Sequence, residues 1–109
     1  MTICLLSLDL SNTGIVQRTA FHKVLKEDGW RMFSNASAIW EKSYKLVYDA
    51  AVEKRVKTVV EAAAGLAGID AMSFVVQVGE LEGWCCLLEK QHGIYHFTTL
   101  DSVHHLKRA

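Results

Sequence analysis

The chain has 109 residues, of which 50% are hydrophobic, and its 12 basic and 12 acidic side chains leave no formal net charge. This length and composition predict one domain, residues 1–109, with a core large enough to fold without metal or disulfide cross-links. The zero net charge excludes a global attraction to nucleic acid or to an anionic membrane, so a polyanion would have to bind at a local patch.

The three cysteines lie inside apolar, strand-like runs, at positions 4, 85 and 86. This usage is typical of reduced core thiols in a cytosolic protein rather than of a disulfide framework. The apolar N-terminal run has no basic flank and reaches Asp9 too early for a membrane-spanning helix, which needs about 20 residues. We therefore expect a cytoplasmic location and no membrane partner.

The first predicted element is a strand within residues 1–12. Residues 3–8 are almost all apolar or small, which is typical of a central strand covered on both faces. A polar tip follows, and Asp9 is its carboxylate. A carboxylate in this position either caps the next turn by accepting backbone amides or serves as a metal ligand, and both interpretations of Asp9 stay open.

A helix is predicted from about Ile15, preceded by the turn and N-cap stretch Ser11-Asn12-Thr13-Gly14, whose short polar side chains could accept backbone amides of the helix start. Gly29 suits the left-handed residue that ends many helices, with Trp30 behind it as the accompanying apolar contact. The apolar positions recur at the three- and four-residue spacing of an amphipathic helix, and they are Val16, Ala20, Phe21, Val24 and Leu25.

Residues 30–41 have strand composition with a break at Ser34-Asn35, which allows either one kinked strand or a tight hairpin. The second helix has the strongest periodicity in the chain, with Asp49 as its predicted N-cap and Gly65 or Gly68 near its end. Its apolar stripe consists of Val52, Val56, Val59, Val60, Ala63 and Ala67.

Three further β-rich runs follow, at residues 73–78, 84–88 and 94–100, separated by polar breaks. The order of elements predicts the α+β class, as a ferredoxin-like (split βαβ) antiparallel sheet with two helices on one face and an extra C-terminal strand. This fold hosts nucleases, regulators, RNA binders and scaffolds, so it does not by itself name a function.

Three stretches of the chain resemble a known group of proteins. They are the tip Leu8-Asp9-Leu10-Ser11-Asn12, the helix that carries Arg18 and ends at Gly29, and the run Trp30-Arg31-Met32 leading to Ala38-Ile39-Trp40-Glu41. Together they are similar to the small CRISPR-associated adaptation nucleases and their relatives, virulence-associated protein D and the GhoS-type antitoxin ribonucleases. The resemblance covers residues 1–41 and the order of the elements beyond them.

The resemblance implies a homodimer in which the first-strand aspartates of two protomers face each other and hold Mg²⁺ or Mn²⁺. The catalytic and metal-binding role then falls on Asp9, in metal-dependent cleavage of RNA or DNA within a bacterial defence or toxin-antitoxin system. The chain departs from the family pattern at two positions, since Leu8 replaces a common aromatic residue and Ala38 replaces a frequent serine.

The candidate nucleic-acid-binding residues are the cations Arg18, Lys23 and Arg31, placed near the strand tip and on the first helix. Phosphate contacts dominate nucleic-acid affinity, so these cations would have to form a local patch. The alternative interpretation is a solvated helix surface. A zinc site built from His92, His96 or the tail histidines with Cys85 or Cys86 is disfavoured, because adjacent strand residues point to opposite faces.

The aromatic residues favour a structural role. Trp30, Trp40 and Trp84 all lie in strand-like runs and are expected in the core or in a dimer interface. Base stacking would require Phe33, Tyr95 and Phe97 on one solvent-facing side of the sheet.

Two other functions stay open beside the nuclease. One is a non-catalytic protein-interaction module without a cofactor, such as a phage-encoded or toxin-neutralising inhibitor, which binds a protein partner at an exposed sheet edge. The other is a sensor that binds a small molecule between helices and sheet.

Overall fold

A computed structural model describes residues 2–33, 38–45, 49–79 and 83–102. All six strands belong to one antiparallel sheet, in the order β2-β3-β1-β4-β5-β6. The elements in chain order are β1 (Thr2–Asp9), α1 (Ile15–Glu27), β2 (Arg31–Met32), β3 (Ile39–Tyr44), α2 (Asp49–Ala67), β4 (Ala71–Val78), β5 (Trp84–Gln91) and β6 (Ile94–Ser102).

The topology is that of a ferredoxin-like domain. Strand β3 lies between β1 and β2, and β1 lies between β3 and β4. Each helix therefore connects two strands that are separated by one intervening strand, which is the split βαβ arrangement. The two helices pack against each other, and β5 and β6 extend the sheet beyond β4. The predicted fold class, including additional C-terminal strand structure, is confirmed.

Strands β2 and β3 form a hairpin, so the second interpretation of residues 30–41 is correct. Arg31 pairs with Glu41, and Met32 pairs with Trp40. The predicted break at Ser34-Asn35 lies outside the described residues, as do residues 80–82 of the turn between β4 and β5 and the tail from residue 103.

The carboxyl end of α1 has the predicted glycine cap. Gly29 has a φ of 95°, and its amide donates to the Lys26 carbonyl at 3.1 Å. The Trp30 amide donates to the Leu25 carbonyl at 3.0 Å, and both of these side chains are buried. This pair of bonds and the apolar contact beside it are the features of a Schellman cap, which satisfies carbonyls that the helix leaves open.

The same motif ends α2 at Gly68, not at Gly65. Gly68 has a φ of 70°, and the Ile69 amide donates to the Ala64 carbonyl at 2.9 Å. The helix begins at Asp49 itself, one position before the start expected with Asp49 as N-cap. The predicted stripe of α2 is buried from Val52 to Ala63, with Ala67 half-buried.

The amino end of α1 is capped differently from the prediction. Gly14 is the N-cap residue, and no side-chain cap bond forms there. The Gln17 side chain instead accepts the Gly14 amide at 3.0 Å and donates through Nε2 to the Gly68 carbonyl at 2.9 Å. One glutamine therefore connects the start of α1 to the end of α2.

The core lies between the helices and one face of the sheet. On β1, the side chains of Cys4, Leu6 and Leu8 are buried in this core. The alternate side chains point away from the helices, and Ile3 is 51% exposed. The prediction that β1 is covered on both faces is therefore wrong for the single chain, because both helices lie on the same side. Of the three tryptophans, Trp30 and Trp40 are buried, and Trp84 packs half-buried against the core.

Candidate functional site

Asp9 lies exposed at the end of β1, opposite Ser73 of β4. Its Oδ1 atom accepts a hydrogen bond from the amide of Ser11 at 3.1 Å. This side-chain-to-backbone bond, two residues along the chain, is the geometry of an Asx turn. The capping role predicted for Asp9 is thus present in the structure.

A metal site would need more than Asp9. Among the residues described, no group of three or more His, Cys, Asp and Glu side chains is placed to hold a metal ion. Magnesium and manganese prefer several oxygen ligands. Within the described ranges, Asp9 is therefore not part of a set of three such side chains that could hold either ion.

The predicted cations occupy two sides of the molecule. On α1, the Nη1 atom of Arg18 donates to the Thr13 carbonyl at 2.7 Å, and Lys23 is exposed. Arg31 pairs instead with Glu41 across the β2–β3 hairpin, with Nε 2.5 Å from Oε1. Glu41 is level with Leu5 on the sheet face that also carries Asp9. The structure thus groups Arg31 with Asp9 on one face, and Arg18 with Lys23 in the helix layer.

The cysteine thiols are suited to packing rather than to chemistry. Burial raises the pKa of Cys4 to about 11, and it also raises the pKa of Cys85 and of Cys86. The thiolate is the nucleophile and the metal ligand, so these protonated thiols are poor at both roles at neutral pH. In the sheet register Cys86 lies beside the core residue Phe74, whereas Cys85 lies beside Val75 on the opposite face. The two adjacent cysteines therefore lie on opposite faces, as predicted.

The three candidate stacking aromatics do not share a face. Phe33 directly follows β2, two residues after Arg31, and its side chain is 48% exposed. Tyr95 and Phe97 pack on the helix side against the core, and the Tyr95 hydroxyl donates to the Ile69 carbonyl at 2.6 Å. A joint platform for nucleic-acid bases is therefore absent from these three residues.

The sheet face turned away from the helices is termed the open face here. Its register places Ser7 of β1 between Ile39 of β3 and Val75 of β4, and Ser73 beside Leu87 of β5. Its exposed or half-exposed apolar side chains are Ile3, Leu5, Phe33, Ile39, Val75 and Leu87. Polar residues are interspersed with them: Glu41 and Gln77 lie on the two sides of Leu5, and the others are Arg31, Asp9, Glu89 and His96.

The open face was not identified from the sequence as a site. The available signal was the apolar run of β1, which has the pattern of a strand with two covered faces. Strands β3 to β5 contribute their own apolar residues to the same face only through the register of the sheet, which the sequence does not specify.

Comparison of the chain with known protein families, with curated proteins and with solved structures gives no match. The resemblance of residues 1–41 to the adaptation nucleases therefore stays a prediction from short motifs. Neither α1 nor α2, the helices of the described ranges, is long and apolar enough to cross a membrane.

Proposed function

We propose that this chain is a non-catalytic protein-interaction module that acts as a homodimer, with the open faces of two copies packed together. The observation that carries this proposal is a mismatch between the sequence of β1 and its surroundings. The sequence has the pattern of a strand covered on both faces, but the two helices cover only one face of it. Ile3 is 51% exposed and Leu5 is half-buried on the uncovered side. Exposed apolar side chains grouped on one face are typical of an interaction surface.

The open face has about the area that a stable dimer requires. Five strands of about six residues and β2 with two, rising about 3.3 Å per residue and spaced about 4.8 Å apart, give a flat footprint of about 500 Å². The relief of the side chains adds to that accessible area. A standard interface buries about 800 Å² per partner, so the open face would have to be used almost completely.

A second copy is the occupant that the charges favour. The chain has no net charge, so two copies approach without net repulsion. On the open face, the Arg31 guanidinium is already paired with Glu41. Leu5 and Val75 lie on β1 and β4, the two middle strands of the sheet, so a two-fold axis between these strands places apolar side chains against each other.

The test compares two identical substitutions at different places. Leu5→Glu puts two like charges near the proposed axis, whereas Leu66→Glu changes an exposed leucine of α2, 76% exposed, away from the open face. In sedimentation equilibrium we expect twice the 12.2 kDa chain mass for the wild type and for Leu66→Glu, and the single mass for Leu5→Glu. Circular dichroism melting checks that both variants fold.

A Leu5→Glu variant that stays dimeric contradicts the proposal. A wild type that is monomeric at every concentration also contradicts it, and a different protein bound through the open face would then replace the second copy as the occupant.

A second candidate is the metal-dependent nuclease that the resemblance implies, and the exposed position of Asp9 at the rim of the open face favours it. Packing two open faces would bring two such carboxylates to one side of the dimer, where Mg²⁺ or Mn²⁺ could bind between them. Arg18, Lys23 and Arg31 would then be the phosphate-binding cations.

The nuclease test uses Asp9→Asn, because the amide oxygen still accepts the Ser11 amide and so preserves the turn. With RNA or DNA and Mn²⁺, the nuclease candidate predicts cleavage by the wild type and by Asp70→Asn, which removes another exposed carboxylate. Loss of cleavage with Asp9→Asn assigns the role to Asp9. Cleavage that survives this change refutes that role, and a wild type without cleavage leaves the interaction module as the function.

A further inference from the structure

A groove of about 790 Å³ lies between α1, α2 and Lys42 of β3. This volume falls within the range of about 300–1,000 Å³ that small-molecule sites occupy. The groove is open because Ala51, Thr58 and Ala62 are small and recur on one face of α2. We call it the helix groove. Its lining residues are Val24, Glu27, Asp28, Lys42, Ala51, Lys54, Arg55, Thr58, Val59 and Ala62.

The wall formed by α2 carries two cations that are available to a ligand. Lys54 and Arg55 are exposed, and in the described part of the chain neither forms an ion pair. Lys57, one turn further along the same helix, is paired with Glu53 at 3.2 Å. Below the two cations, the side chain of Val59 is buried and supplies an apolar floor.

The opposite wall is largely neutralised. The Asp28 carboxylate accepts from Lys42 Nζ at 3.0 Å and from Trp30 Nε1 at 3.1 Å. The Lys42–Asp28 ion pair has no net charge. Of the other charged residues in the lining, two are cations, Lys54 and Arg55, and one is an anion, Glu27. The helix groove therefore has an excess of positive charge, concentrated on α2.

Tyr44 lies beside the helix groove but is not part of its lining. Its side chain is 5% exposed, and its hydroxyl forms no hydrogen bond within the described ranges. The Nζ atom of Lys42, which does line the groove, lies 5.1 Å from the centre of the Tyr44 ring. The donors that the groove itself offers to a ligand are therefore the cations of α2.

We propose that the helix groove binds a small amphipathic anion, with its carboxylate or phosphate group held by Lys54 and Arg55. The apolar body of the ligand packs on Val24 and Val59. Both head groups share the anionic oxygens that these donors recognise, so the experiment must distinguish between them.

The test is isothermal titration of the wild type with octanoate, octyl phosphate and octyltrimethylammonium, which share an apolar chain and differ in head group. We expect at least one anion to bind saturably, and the cation to bind at least about tenfold more weakly, as loss of a charge-assisted contact predicts. The tighter of the two anions identifies the head group as carboxylate or phosphate.

Variants assign the binding to the helix groove. Arg55→Gln should weaken binding of the preferred anion by about tenfold. The matched control is Lys26→Gln, an exposed cation of α1 outside the lining, which should leave binding unchanged. Thr58→Phe should block the groove, because Thr58 is one of its lining residues.

Two outcomes overturn the proposal. One is the absence of saturable binding by both anions, and the other is binding that Arg55→Gln and Thr58→Phe leave unchanged. The Leu5→Glu variant keeps this test independent of the proposed dimer, because Leu5 lies on the open face and its replacement should not alter binding in the helix groove.

Discussion

Replacement of Tyr44 by phenylalanine is expected to stabilise the ligand-free protein. The wild-type chain removes the Tyr44 hydroxyl from water on folding, and no bond from the described residues compensates for the lost hydration. Tyr44→Phe deletes that oxygen and keeps the ring. The contact of the ring with Trp30, at 6.3 Å between centroids, and its position under Lys42 are both preserved.

The expected gain follows from the cost of an unsatisfied buried polar group, about 1–3 kcal/mol. The small void left by the oxygen offsets part of it, so we expect the free energy of unfolding to rise by about 1–2 kcal/mol. In a domain of this size, each kcal/mol corresponds to about 4–8 °C in Tm. Tyr95→Phe is the matched control, because its hydroxyl donates to the Ile69 carbonyl at 2.6 Å and its removal should cost about 1 kcal/mol.

Urea unfolding followed by circular dichroism at neutral pH measures both effects. The two variants should shift the midpoint in opposite directions without changing the slope of the transition, since neither alters the surface exposed on unfolding. A Tyr44→Phe variant that loses stability as Tyr95→Phe does would show that the Tyr44 hydroxyl has a partner and that its burial does not destabilise the protein.

Two further predictions concern the end of α2 and the buried thiol of β1. Gly68→Ala should lower the free energy of unfolding by about 1–2 kcal/mol, because its φ of +70° is left-handed, whereas Gly65→Ala in the preceding regular turn should raise it by up to about 1 kcal/mol. Equal effects in urea unfolding would contradict the left-handed cap. Burial raises the pKa of Cys4 from 9.0 to about 11, so the unfolded chain loses this proton first as pH rises. The contribution of Cys4 protonation to the free energy of unfolding is therefore fully present below pH 9, and about 3 kcal/mol of it is lost between pH 9 and 11. A Cys4→Ala variant with the same pH dependence would refute this cause.

The helices and their carboxyl ends were predictable because their signals are local. Gly29 and Trp30 specify the end of α1 within one turn, and the Asx turn of Asp9 needs only the amide of Ser11 two residues later. The pattern of β1 was predictable in part. Its apolar run marks a central strand correctly, but composition alone does not tell whether the helices of the same chain cover both faces of that strand.

The long-range features could not be read from the sequence. The bond from Gln17 to the Gly68 carbonyl spans 51 positions, and it forms only because α1 and α2 pack antiparallel. The helix groove depends on small residues of α2, such as Ala62, that lie outward and look like an ordinary solvated face in the helical pattern. The open face likewise depends on strand register, which brings Val75 and Ile39 to the two sides of Ser7.

The two outer strands of the sheet differ greatly in length. Strand β2 has two residues, whereas β6 has nine, from Ile94 to Ser102, and pairs on one side with β5. A row of backbone amides and carbonyls that long can template the addition of a strand from another molecule, and a two-residue edge offers too few groups to do so. Aggregation of concentrated or partly unfolded protein is therefore expected to start at β6, and shielding of this edge would determine how well the chain resists it.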